Sequence, residues 1–529
     1  MFLKKIQFLF VLVLFISNSL NAQDTYLVYL KNKTKEYSID KPEQFLSKKS
    51  IDRRIKNNIK ITEKDLPVNT QYIKQIKATG VEIIGSSRWL NCVFIKNNKK
   101  SIQEIDQFSF VQKVEKYHGL KAKPEKISNR TLNYGDATVQ TEMLKGDVIH
   151  NLGYTGSGVV IAIFDDGFYQ VDNIGAFSHL YSNSKVLSTH NYCGYEFNTV
   201  YDAGSHGTSV LSCMAANETG EMIGTAPDAS YRLFLAWNAS STADDEIGWV
   251  LSAEEADVLG VDIIQSSLYF TAGEAPGEDS YTYEDMDGQT ALSTQAAQSA
   301  YEAGIVVLNC AGNLRAESWH YIGAPADAEG VLAVGAVDGS EDLAYFSSAG
   351  PSFDGRIKPD ITAMGYECYV INTNGNTEAA YGTSFSTPIT SGLVACLIQA
   401  FPSATAEEIR TAIVESADRY NNPDNDYGYG IPDFEIAYNN LLASKTEEIK
   451  QSDSSFSIYP NPFSDFINIS ASSVIKNITI YDVSGRAILC KMVNNSDKYV
   501  LDINKLGKAF YYIKVECEND TYIQKIIRE

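Results

Sequence analysis

Between residues 159 and 337 the chain repeatedly presents short runs that are apolar almost throughout: Val159–Phe164, Val261–Ile264, Ile305–Leu308 and Val331–Val337. A strand with one face in water alternates polar and apolar side chains. These runs do not, so both of their faces must be covered, as in a parallel sheet with helices on either side. The intervening stretches, Asp244–Leu259 and Thr290–Ala303, have helical character, and the runs Thr387–Ala400 and Thr405–Ala417 close the region. The pattern therefore predicts an α/β domain whose mostly parallel sheet is buried between helices.

With 529 residues the chain is too long for one ordinary core, and its flanks read differently from its middle. Residues 1–22 place Lys4 and Lys5 before the apolar run Phe8–Ile16 and end in small residues up to Ala22, the order of a secretory signal peptide. The apolar run is well short of the roughly 20 residues that a spanning helix needs. Residues 23–127 mix strands (Tyr26–Leu30, Val81–Ile84, Leu90–Ile95, Val111–Val114) with a Lys/Arg-rich helix near Ser47–Lys60, which predicts a small α+β domain. The polar stretch Lys121–Thr131 is the expected linker and processing site. The α/β domain is expected over 128–445 and a charged linker over 446–455. A β-sandwich is expected over 456–529, where short strands such as Ile467–Ile469, Ile478–Ile480 and Tyr511–Val515 are spaced by Asn, Ser and Gly turns.

Charge divides the chain in the same way. Residues 24–125 hold 21 Lys+Arg against 12 Asp+Glu, while the whole chain carries −22. A basic amino-terminal piece thus precedes a strongly acidic body. Opposite fields favour docking of the two and equally keep both surfaces soluble, and the acidic body argues against nucleic acid as a partner. Of the eight cysteines, five fall between Cys193 and Cys396, an odd number that cannot all pair. Cys310 and Cys396 read as buried thiols, whereas Cys193/Cys213 and Cys490/Cys517 are candidates for bridges in an oxidising compartment. No cysteine or histidine spacing suggests a metal.

Four motifs sit where such sheets build their sites, at the ends of elements. The first apolar run ends in Asp165-Asp166-Gly167, and His206-Gly207-Thr208 opens a helical run. Ile305–Asn313 ends in Ala311-Gly312-Asn313, and Gly382-Thr383-Ser384-Phe385-Ser386-Thr387-Pro388 starts a helix. A carboxylate can orient an imidazole, the imidazole can take a hydroxyl proton, and an amide with a helix N-terminus can stabilise a developing oxyanion. Taken singly, an Asp-Gly turn, a His-Gly cap and a Ser-Xaa-Ser-Xaa-Pro helix start are ordinary structural features. Their order, Asp, His, Asn, Ser, is the arrangement of a known triad scaffold.

Over about residues 134–440 these motifs resemble the subtilisin-like serine proteases (subtilases, peptidase S8), and Tyr281–Gly288, Pro325–Asp327, Phe346–Pro351 and Asp354–Asp360 resemble the secreted subtilases of the Bacteroidetes. The resemblance extends to a propeptide before the domain. It also extends to a type IX secretion sorting domain after it, carried by Tyr459-Pro-Asn-Pro462, Asp482-Val-Ser-Gly485, Leu506-Gly507, Tyr511–Lys514 and Lys525-Ile-Ile. It implies Asp165, His206 and Ser384 as the triad, Asn313 as oxyanion donor, and Ser267, Leu268, Tyr269, Ala311 and Gly312 as the substrate-binding groove. Two departures stand out. Asp166 replaces the usual Ser or Thr, putting a second carboxylate beside the first, which either raises one pKa or points to solvent. Tyr269 replaces a glycine and is expected to narrow the first specificity pocket.

The chain is accordingly expected to be a secreted or cell-surface serine endopeptidase, exported through the periplasm and outer membrane. Its expected partners are polypeptide substrates, its own propeptide as an intramolecular inhibitor, and the type IX machinery. The alternative is a surface-binding, adhesin-like protein whose turnover is impaired by Tyr269. No cofactor is assigned; the resemblance admits calcium, with Asp285-Met-Asp287 as an acidic candidate and no ligand assigned.

Overall fold

The computed structural model describes residues 24–34, 36–97, 99–117, 135–193, 197–237, 242–271, 281–451, 456–481, 487–504, 506–507, 510–518 and 521–528. The expected signal peptide, the Lys121–Thr131 linker and the Asp482–Gly485 segment lie outside these residues. Among the described residues, seven parallel strands form the central sheet, in the order Ile361–Met364, Val331–Val337, Val306–Cys310, Ile263–Ser266, Val160–Asp165, Ser230–Leu235, Val186–Asn191. Each apolar run singled out above contributes a strand. The strands Val186–Asn191 and Ser230–Leu235 go beyond that set, because polar residues such as Ser188, His190 and Arg232 interrupt their apolar pattern.

Alternate residues of the central strands serve two cores. Ile161, Ile163, Leu233 and Leu308 face one that also holds the helices His206–Ala215, Thr383–Ala400 and Ala406–Glu415. Val160, Ala162, Phe164, Phe234 and Val307 face the other, under the helices Thr242–Leu259 and Leu292–Glu302. There Phe164 stands edge-on to both Phe234 and Trp249, at centroid distances of 5.1 and 5.4 Å. Burying each such ring contributes about 1.5–3 kcal/mol, which is why the central strand tolerates no polar residue before its last position.

The amino-terminal domain is a four-stranded antiparallel sheet in the order Glu82–Ser87, Cys92–Asn97, Asp24–Leu30, Val111–Tyr117. One face, with Val28, Val93 and Ile95, packs under the domain's own helices. The opposite face presents Leu27, Cys92 and Phe94, and these belong to the same core as Trp249 and Val250 of helix Thr242–Leu259. The two domains therefore share a hydrophobic core.

A buried ion cluster lies beside it. Asp257 is fully buried and accepts from Arg54 Nη1 on Oδ1 at 2.8 Å and from Arg54 Nη2 on Oδ2 at 2.7 Å. Arg53 Nη2 and Arg88 Nη2 also donate to it. Arg53 is further held by the carbonyls of Ala303 and Val261 at 2.9 and 2.7 Å. One turn back on the same helix, Glu254 accepts from the Ser87 hydroxyl at 2.5 Å and from the N–H groups of Arg88 and Trp89 at 2.9 and 3.1 Å. Burial alone would raise Asp257, but the Arg53, Arg88 and Arg54 guanidiniums hold it well below the usual carboxylate range. The excess of basic residues in this domain thus includes three arginines spent on one carboxylate of the acidic body.

The carboxy-terminal strands, Ser457–Tyr459, Phe466–Tyr481, Ala487–Asp502, Phe510–Cys517 and Thr521–Ile527, pair antiparallel throughout. Register shifts between Ser470 and Ile475 divide the long second strand, whose first half pairs with Ser457–Tyr459 and whose second half pairs with Phe510–Cys517. Ile467 and Ile469 from the first half and Ile478 and Ile480 from the second share one core, and the strands form a single five-stranded antiparallel sheet among the described residues. The helix Phe434–Gln451 runs across the boundary expected at 445. Cys193 reaches the Leu235 carbonyl and Cys213 the Ser209 carbonyl, while Cys490 contacts Asn477, so neither candidate bridge forms. No helix among the described residues is long and apolar enough to cross a membrane.

Candidate active site

The central strand delivers Asp165 at its carboxyl end, fully buried. His206, the first residue of the helix His206–Ala215, donates through Nδ1–H to Asp165 Oδ1 at 2.7 Å. That bond fixes the tautomer and leaves Nε2 as the acceptor. The two elements meet so closely that a Cβ on Gly207 would lie 2.2 Å from the Gly167 carbonyl oxygen and 2.8 Å from Asp165 Cβ. The glycine after His206 is therefore a condition of the hydrogen bond. Burial alone would lower the imidazole pKa; the Asp165 charge, its hydrogen bond and the Asp166 charge outweigh it and raise His206 to about 9.

Ser384 is the second residue of the helix Thr383–Ala400, which packs against the His206 helix. Phe385, the next residue, lies against the His206 ring with centroids 5.6 Å apart. The Ser384 hydroxyl donates only a long 3.4 Å hydrogen bond, to the Ser267 carbonyl, and is weakly held. Pro388 lies inside this helix, in its second turn. Without an N–H it cannot donate to the carbonyl of Ser384, four residues earlier. The Ser267 hydroxyl does so instead, at 2.7 Å, while accepting from Gln265 Nε2 at 2.8 Å. Ser267, expected to bind substrate, thus satisfies the backbone carbonyl of Ser384.

Asn313 is fixed through its carbonyl. Oδ1 accepts from Thr383 N–H and from the Thr383 hydroxyl, each at 2.9 Å, and that hydroxyl in turn accepts from Gly312 N–H at 3.2 Å. With Oδ1 taken by two donors, the amide nitrogen is what Asn313 presents to its surroundings; a Cβ on Gly382 would lie 3.4 Å from Nδ2. Gly312 adopts φ +107°, open to glycine and costly for other residues.

The remaining groove candidates are built in tightly. Leu268 donates from its N–H to Ser266 Oγ at 3.3 Å and accepts from Asn309 Nδ2 at 2.9 Å. Ala311 uses its N–H on the Val334 carbonyl at 3.0 Å. Tyr269 is buried, its Cγ 3.7 Å from where a Cβ on Gly312 would stand. Asp166 is half-buried beside Asp165, so of the two expected outcomes it takes the first: burial and then the Asp165 charge push it up to about 7. The Asp285 and Asp287 carboxylates accept hydrogen bonds from Thr282 and Thr290, respectively. Thr383 and Gln265 were not foreseen as site residues. Thr383 lies inside the serine motif, but its task depends on a partner 70 residues away, which spacing does not reveal.

Residues 156–430 match the model of the subtilase family, residues 25–131 that of the peptidase S8 propeptide domain of Bacteroidota, and residues 457–529 that of a secretion system C-terminal sorting domain. The chain is 28% identical to subtilisin E of Bacillus subtilis over 365 residues, which covers 68% of this chain and 84% of the relative. It is 31% identical to subtilisin DY of Bacillus licheniformis over 299 residues, 56% of this chain and 96% of the relative. Among solved structures, the epidermin leader peptide processing serine protease of Staphylococcus aureus shares the fold with a TM-score of 0.55 at 17% identity, covering 79% of this chain and 99% of that one.

Proposed function

Because the chain belongs to the subtilase family of serine endopeptidases, we propose that it hydrolyses peptide bonds through Asp165, His206 and Ser384, with Asn313 as oxyanion donor. The observation that carries this reading is the 2.7 Å hydrogen bond from His206 Nδ1 to the buried Asp165. His206 Nε2 takes the hydroxyl proton as Ser384 Oγ attacks the substrate carbonyl, and Asp165 stabilises the imidazolium. The Asn313 amide and the N–H groups at the start of helix Thr383–Ala400 receive the oxyanion. His206 then gives the proton to the leaving amine. The acyl group on Ser384 is released by water, which His206 deprotonates in its turn.

The groove that receives the substrate is walled by Ser267–Tyr269 on one side and Ala311–Gly312 on the other. The Tyr269 ring sets the depth of its first pocket. The propeptide acts as an inhibitor, intramolecular while the linker is intact, until it is released, and the sorting domain directs export through the periplasm and outer membrane by the type IX machinery. Substitution S384A tests the assignment. It is expected to abolish both casein cleavage and covalent labelling by a fluorophosphonate, and retention of both overturns it.

A further inference from the structure

Asp166 is the carboxylate to which the proposed triad gives no task. Its N–H donates to Asp165 Oδ1 at 2.8 Å, and its own Oδ1 accepts from Gly207 N–H, at the start of the His206 helix, at 3.3 Å. On the other side Gly204 comes so close that a Cβ there would lie 2.2 Å from Asp166 Cγ, so the carboxyl group is confined. One carboxylate or ring atom from each of Asp165, Asp166 and His206 lies within 4.8 Å of the other two. Asp165 Oδ2 is buried with no hydrogen-bond partner among the described residues. At this spacing the charges of Asp166 and His206 act directly on one another.

We propose that Asp166 is a positioning residue that sets the proton affinity of the base: as a carboxylate it holds a proton on His206, so that the imidazole becomes free to accept the Ser384 proton only at higher pH. The inference rests on reading His206 as the general base. Asp165 also raises His206, more strongly than Asp166, and is unchanged in the Asp166 variants; the other groups around His206 among the described residues are occupied or uncharged. Asp202, in the turn before the helix, accepts from the Thr199 hydroxyl at 3.0 Å. The nucleophile helix faces His206 with Phe385, which carries no charge. Cys310 at the end of a nearby strand, Cys213 on the same helix and Cys368 on the strand against it are thiols that burial keeps protonated. The shifts agree with the geometry: Asp166 rises to about 7 and His206 to about 9.

The sign follows directly. His206 works as a base in its neutral form, whose share grows as pH rises through the imidazole pKa. Removing the Asp166 charge lowers that pKa, so activity extends to lower pH. A structural role for Asp166 would change the size of the rate and leave its pH profile in place.

The test compares the full chain after maturation as wild type, D166N and D166S. The readouts are kcat/KM on a neutral peptide and the rate of fluorophosphonate labelling, both followed across pH. The expected result is a wild-type acid limb above about 7 that moves down by about one pH unit or more in both variants. Coincident limbs in wild type and variants overturn the proposal. If neither variant matures, the wild-type limb decides, and a midpoint near the ordinary imidazole value of about 6.5 overturns it as well. Failure of the underlying reading is distinguishable, because it shows as labelling that survives S384A at every pH.

Discussion

Asn313 can serve as a donor because its other end is occupied. The Thr383 hydroxyl and N–H fix Oδ1, and the amide nitrogen is left for the oxyanion it is proposed to receive. N313A is expected to lower kcat by about 10²–10³ with little change in KM, since the contact strengthens only as charge develops on oxygen. T383V keeps the backbone donor and removes the hydroxyl, so a smaller loss of about tenfold in kcat is expected, of the size of one hydrogen bond. Steady-state kinetics on a chromogenic peptide separates the two. If T383V matches wild type, Asn313 is held in place without the hydroxyl. At this scale the sequence was informative where a residue type is itself chemistry, as with Asp165 and His206, which the structure brings to 2.7 Å. It was silent where the type is common and only its partner matters, as with Thr383.

The nucleophile helix contains a proline that deprives the carbonyl of Ser384 of its own ladder, and a strand-end serine makes up the loss. S267A is therefore expected to leave a buried carbonyl unsatisfied, at a cost of about 1–3 kcal/mol, and to lower the thermal midpoint of the S384A chain by several degrees. An unchanged midpoint in calorimetry would remove Ser267 from that role. The central elements were legible because a doubly buried strand excludes polar residues, and Val160–Asp165 and Val331–Val337 lie within a residue of the runs read from the sequence. Strands with polar positions, such as Val186–Asn191 with its alternating exposure, were not legible, because their neighbours cover only one face. Expected bridges failed for a related reason: cysteine count says nothing about direction, and the Cys193 and Cys213 sulfurs each turn to a carbonyl of their own surroundings.

On the scale of the whole molecule, the amino-terminal domain is held by a shared core and by three arginines on Asp257. D257N in the full-length S384A chain removes the charge that the three guanidiniums share, leaving Arg54 with Asp65, Arg88 with Glu254 and Arg53 with its carbonyls, with an expected loss of about 3–5 kcal/mol in urea unfolding. The Asp257 carboxylate is held below its unfolded pKa. Its contribution is present above the ordinary aspartate value of about 3.9 and is lost as pH falls below it. Docking is thus expected to persist through mild acid and to weaken only below about pH 4, which analytical size exclusion of linker-cut protein can follow. The division of charge along the chain pointed towards docking, but the arginines that carry it became visible only once Arg53, Arg54 and Arg88 were seen converging from two separate segments. The shared core has one further consequence. Cutting the linker breaks a tether and leaves the contact in place, so an intramolecular equilibrium becomes one between two molecules. Release is then governed by dilution: under the proposed inhibition, a crowded population of freshly cut chains is expected to stay silent and the same chains dispersed into a larger volume to become active.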